Sequence, residues 1–179
     1  ISQSVAALIK KYDETDPYKL CKAMDIKLLY QPMGTTPNAV KGFFLEFKRI
    51  RTITINSDLP EVIQKIIVAH ELCHATCHRT AGIQTFHDLS LFDHTSIMEK
   101  DANLFAAELL LDDQKVLEIL NQDSSFFAAA STLMVPPELL DFKFRVMKWK
   151  GFKMIEPPIA ARSNFMRDMQ IPEDGDFYS

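Results

Sequence analysis

At 179 residues, 47% apolar and 25% charged, with a net charge of −4, the chain has the length and balance of one globular domain with a real core. The mild negative charge gives no global attraction to nucleic acid or to an anionic membrane. No apolar run approaches the ~20 residues of a membrane span, the first residues lack a signal-peptide pattern, and three cysteines (Cys21, Cys73, Cys77) make no disulfide framework, which fits a reducing cytoplasm.

Val5, Leu8, Ile9 and Tyr12 fall at helical spacing and predict a first helix over residues 2–12. Asp16-Pro17 is a start signal for a second, over 17–24. Strand character follows in 26–30, 40–47 and 51–55, with turns at Gly34-Thr35-Thr36-Pro37-Asn38 and Lys48-Arg49. The last two runs suit a small antiparallel sheet. Asp58-Leu59-Pro60-Glu61 has the pattern of a capping box, and the apolar run 62–69 behind it predicts a long buried helix. Residues 79–95 read as a loop, 96–111 as a further helix and 114–120 as a third helical piece. Two more helices flank Val135-Pro136-Pro137. From Glu156 onward, proline and acid predict an irregular or partly disordered tail. The expected class is α+β, a small antiparallel sheet packed on the long helix and followed by a helical lobe. Its expected regions are a core over 1–112, a lobe over 113–153 within the same compact domain, and the tail over 154–179.

The long helix carries His70-Glu71-Leu72-Cys73-His74. Residues four apart share a helix face, so the two imidazoles can hold one metal ion. Glu71 is turned roughly 100° from His70, free to handle the proton of a water at that ion. This zincin-like pattern arises by chance in roughly one chain per hundred of this length or fewer, and its helical setting points to a metallohydrolase.

A catalytic zinc site keeps three protein ligands and one open position, so one more ligand is needed. Cys77 lies seven residues from His70, about 10.5 Å along the helix axis, too far to share the ion. Cys73 points away from the histidine face, and both cysteines read as small core residues. His78 continues the four-residue series, yet a cation near a helix C-terminus explains it more simply. Glu99 is the stronger candidate. On its helix it is flanked by Ala102, Asn103, Ala106 and Leu110, whereas Asp101 and Glu108 share the opposite side. A carboxylate facing an apolar surface needs a compensating charge. The competing reading is that Ser96-Ile97-Met98-Glu99 is a capping box.

His70-Glu71-Leu72-Cys73-His74, followed by Glu99-Lys100-Asp101-Ala102-Asn103-Leu104-Phe105-Ala106-Ala107-Glu108-Leu109-Leu110-Leu111, resembles the ImmA/IrrE metallopeptidase family over roughly residues 26–149. The resemblance implies that His70, His74 and Glu99 bind zinc and that Glu71 is the catalytic base; by donor chemistry alone, manganese or iron could also fill such a site. It departs at Asp101, where the family has a second glutamate, at Cys73, where glycine is usual, and at Asp112-Asp113, where many members have proline. Members are often encoded in phages and integrative elements beside a helix-turn-helix repressor. The implied activity is zinc-dependent cleavage of such a repressor, a protein substrate.

His87 and His94 are candidate donors to a developing oxyanion, against a plainer reading as solvated loop histidines. Asn103 could orient Glu99 or cap a neighbouring loop. The helices either side of Val135-Pro136-Pro137 also resemble a DNA-reading helix-turn-helix, the second ending in Lys143, Arg145, Lys148 and Lys150 with Lys153 beyond. Asp112, Asp113, Glu118, Asp123, Glu138 and Asp141 roughly neutralise that segment, which argues against nucleic acid as a partner. A regulatory module that keeps the metal fold without proteolysis is the other alternative.

Overall fold

The computed structural model describes residues 1–36, 38–78, 93–122 and 125–169, with only the backbone described at 93–96, 167 and 168. After α1 (Ser2–Tyr12), Asp16 accepts hydrogen bonds from the Tyr18 and Lys19 N–H groups and Pro17 takes the first position of α2 (Pro17–Ala23), as that dipeptide predicts. Three strands follow, β1 (Ile26–Gln31), β2 (Gly42–Phe47) and β3 (Ile50–Asn56), in the spatial order β1-β3-β2. β2 and β3 form the expected antiparallel pair, with Phe47 opposite Ile50 and both Lys48 and Arg49 at positive φ in the tight turn. β1 adds to the other side of β3 in parallel, Ile26 opposite Arg51 through Gln31 opposite Asn56, so the sheet is mixed.

The central strand turns Ile53, Thr54, Ile55 and Asn56 into the interior. Asn56 ends it as a hub. It donates to the Gly34 and Val40 carbonyls at 2.7 and 2.9 Å and accepts from the Met33 and Asp58 N–H groups at 3.1 Å each. Asp58 in turn accepts from Gly34 N–H at 2.7 Å. The expected capping box at α3 (Glu61–Cys77) is therefore absent: Pro60 is the cap residue and makes no side-chain cap bond, because the Asp58 carboxylate is engaged by the preceding loop.

α3 packs on β2, β3 and α2 on one side and on α4 (Asp93–Leu110) on the other. Every residue from Ile66 to Ala75 is buried, consistent with its apolar character all round. Gly42 makes the close approach of sheet and helix possible. A β-carbon there would lie 2.4 Å from Ile67 Cγ2 and 2.9 Å from the Thr54 carbonyl oxygen.

Beyond α4 come α5 (Asp113–Leu120), α6 (Phe126–Thr132), α7 (Pro137–Trp149) and a last turn, α8 (Phe165–Asp168). α7 lies on α4 and buries Leu139, Leu140, Phe142, Phe144, Val146 and Met147. Lys143, 1% exposed, is held between Glu108 Oε2 at 2.7 Å and Asp113 Oδ1 at 2.6 Å, the latter outside hydrogen-bond geometry. Lys150 spans the same two carboxylates at 2.5 and 2.7 Å. The chain after α7 is mostly without regular structure, but it is pinned. Asp141 accepts from Ala161 N–H at 2.9 Å, Arg145 donates to the Ala161 carbonyl at 2.7 Å, and Ala161, Phe165 and Met166 are buried. Residues 170–179 lie outside the described residues.

Candidate metal centre

The helical period puts His70 and His74 one turn apart on α3, with 2% and 3% exposure. α4 packs directly on this helix, and its buried Ala102, Ala106 and Ala107 keep bulk out of the α4 surface. Glu99 reaches across from α4. Its Oε2 lies 3.2 Å from His70 Nε2 and its Oε1 lies 3.4 Å from His74 Nε2, while the two Nε2 atoms are 3.3 Å apart. One donor atom from each residue lies within 4.8 Å of the others, and among the described residues no further side chain joins this group.

The separation of the two Nε2 atoms is that of two ligands on one small divalent ion. Tetrahedral donors about 2.0–2.1 Å from a central ion are about 3.3–3.4 Å from one another. The chemistry of the donors agrees. Burial draws the His74 imidazolium down to about 4, against the pull of the Glu71 and Glu99 carboxylates, so the ring is neutral near neutral pH. Two imidazole nitrogens and a carboxylate converging on one spot form an electron-rich pocket that a cation completes. Glu71 is 3% exposed and stands three residues before His74 on α3, and its carboxylate exerts the largest charge effect on that ring.

α4 begins at Asp93, three residues before the predicted start, so Glu99 sits in its second turn and not at the third position of a capping box at Ser96. Glu99 faces the two histidines from α4. Cys73 is buried as expected, but Cys77 is exposed near the end of α3 and is not a core residue. Asn103 resolves toward loop capping: its Nδ2 donates to the Ser163 carbonyl at 2.6 Å, 60 residues away. His87 lies outside the described residues, and His94 is in α4 where only the backbone is described. His78, read as a terminal cation, instead brings its Nδ1 to 3.0 Å from His74 Nδ1. Asn56 and Asp141 were not singled out by sequence at all as organising residues, since their partners are distant loops.

The four basic residues of α7 and its end are engaged. Lys143 and Lys150 pair with Glu108 and Asp113, Arg145 with Asp141, and Lys148 with Glu156 at 2.6 Å.

Comparison with known proteins gives consistent results. Residues 21–145 match the model of the peptidase family M78, described as an IrrE N-terminal-like domain. A protein of Bacillus phage phi105, named uncharacterized immunity region protein 2, is 33% identical over 143 residues, covering 80% of this chain and 88% of its own. Metallopeptidase ImmA of Bacillus subtilis (strain 168) is 28% identical over 149 residues, covering 80% and 83%.

Proposed function

Because the chain belongs to the IrrE-like M78 peptidase family, we propose that it is a zinc-dependent metallo-endopeptidase in which His70, His74 and Glu99 hold the ion and Glu71 is the general base. The observation that carries this reading is the convergence of three donors from two helices, one atom of each within 4.8 Å of the others, with one Glu99 oxygen 3.2 Å from His70 Nε2 and the other 3.4 Å from His74 Nε2. Two imidazoles and a carboxylate are a donor set suited to zinc. When bound, such an ion supplies a Lewis acid that polarises a peptide carbonyl and makes water acidic near neutral pH. The protein's own steps fall to Glu71. Its buried carboxylate takes a proton from the attacking water, holds it and delivers it to the departing amine. His70 and His74 orient the site, and Glu99 supplies the compensating negative charge.

The substrate we propose is a helix-turn-helix repressor of a phage or integrative element. The support is the resemblance described above, together with one relative named as a phage immunity region protein and another named as a metallopeptidase. A DNA-binding role is less favoured, since Lys143 and Arg145 of α7 pair with the buried or near-buried carboxylates of Glu108 and Asp141. No described helix is long and apolar enough to cross a membrane, and the three free cysteines support a reducing compartment.

Native mass spectrometry of wild type and Glu99→Ala tests the centre: one zinc per wild-type chain, lost or much weakened in the variant. Cleavage of a co-encoded repressor by wild type, with Glu71→Gln retaining zinc but not turnover, tests the chemistry. Near-wild-type cleavage by Glu71→Gln would remove the assigned base.

A further inference from the structure

Resting on the reading of His70, His74 and Glu99 as metal ligands, we infer that His78 is a positioning residue for the centre. It accepts the Nδ1–H of His74 and thereby fixes the tautomer and ring plane that turn His74 Nε2 toward the ion. Three imidazoles stand at four-residue intervals along and just beyond α3, and the pairing changes between them. His70 and His74 meet through Nε2 atoms at 3.3 Å, whereas His74 and His78 meet through Nδ1 atoms at 3.0 Å. His74 thus commits one nitrogen to the donor group and the other to His78. His78 achieves this as the C-cap residue: φ −111 and ψ 16 take it out of the helical path, and its ring lies 5.0 Å from that of His74 at 50°.

Proton counting sets the direction of the contact. A neutral imidazole has one N–H and one lone pair. If His74 Nε2 gives its lone pair to a cation, its proton is on Nδ1, and His78 Nδ1 must then offer a lone pair and carry its own proton on Nε2. Metal-bound imidazoles commonly donate their second N–H to an acceptor, which fixes ring orientation and raises basicity. Loss of that acceptor costs about 10–100-fold in metal affinity. A histidine that only terminates α3 would act through the helix dipole. Its removal would shift stability and leave affinity alone.

The experiment is zinc affinity by chelator competition on wild type, His78→Ala, His78→Asn and Glu99→Ala. It is accompanied by urea unfolding of the metal-free proteins and long-range 15N–1H spectra of the His74 ring. His78→Ala should bind zinc about 10–100-fold more weakly, with an unchanged urea midpoint and loss of the dominant Nδ1–H form of His74. His78→Asn, whose Oδ1 can take the place of Nδ1 as acceptor, should recover most of the affinity and the tautomer. Wild-type affinity and tautomer in His78→Ala, with Glu99→Ala still losing zinc, would overturn the role of His78 and leave the centre standing. Zinc binding by neither wild type nor Glu99→Ala would overturn the ligand assignment, and the positioning role with it.

Discussion

Lys143→Met removes an ammonium that is 1% exposed and lies 2.7 and 2.6 Å from the carboxylates of Glu108 and Asp113. Breaking a buried pair by deleting one partner typically costs about 3–5 kcal/mol, because the other charge is left without compensation. Here Lys150 still bridges both carboxylates, while its side chain and that of Asp113 keep 29% and 22% exposure, so water and the remaining cation offset part of the loss. The expected destabilisation is about 2–4 kcal/mol. For a chain of this size that lowers Tm by roughly 5–15 °C. Urea unfolding at neutral pH on the metal-free protein measures it without interference from bound zinc. The companion variant Lys143→Met/Glu108→Met removes one charge of each sign and leaves Lys150 facing Asp113. It should return to within about 1 kcal/mol of wild type, since well-packed apolar replacements of buried pairs are often neutral or better. A single variant within about 1 kcal/mol of wild type, or a double variant no better than the single, would refute the view that this cluster is held by mutual compensation.

Two further outcomes follow from the same packing. Gly42→Ala should cost about 1–3 kcal/mol by urea titration, since the Ile67 methyl can yield but the Thr54 carbonyl belongs to the central strand; an unchanged midpoint would mean β2 stands off α3 more than described. Burial raises the Asp113 pKa, but the Lys150 hydrogen bond and the charges of Lys143 and Lys150 outweigh it and hold the group below its ordinary 3.8. A depressed carboxylate stabilises the fold fully above its unfolded pKa and loses that contribution as pH falls through the folded one. The stability gap between wild type and Asp113→Asn should therefore be constant above about pH 5 and close below pH 4. A gap independent of pH would show that the aspartate acts through packing alone.

The sequence was most legible where chemistry repeats at short range. His70, Glu71 and His74 could be placed on one helix from spacing alone, and Asp16-Pro17 and Lys48-Arg49 marked an element start and a turn that the fold keeps. Glu99 needed a burial argument, and its helix began three residues early because nothing local forbids helix at Asp93. What escaped were pairings set by distant chain. The parallel contact of β1 with β3 depends on where a loop returns. Asp58 has a cap-like neighbourhood, but a loop N–H 24 residues away competes for it. Asn103 leaves two readings open, and Asp141 reads only as a neutralising charge, until the chain beyond α7 is laid against them. His78 was visible as a spacing but not as a contact, because its role depends on leaving the helix.

The strap formed by residues 161–166 also bears on where this protein can be cut. A chain ending at Trp149 would keep every metal-binding motif and every helix that surrounds it. It would nevertheless strip Asn103 and Asp141, 0% and 2% exposed, of the carbonyl and N–H that answer them, one turn from Glu99 in the first case. Such a fragment would look complete by its motifs yet fold as a less cooperative unit. Terminal tags, fusions and proteolytic mapping should accordingly treat the stretch to Met169 as part of the folded unit.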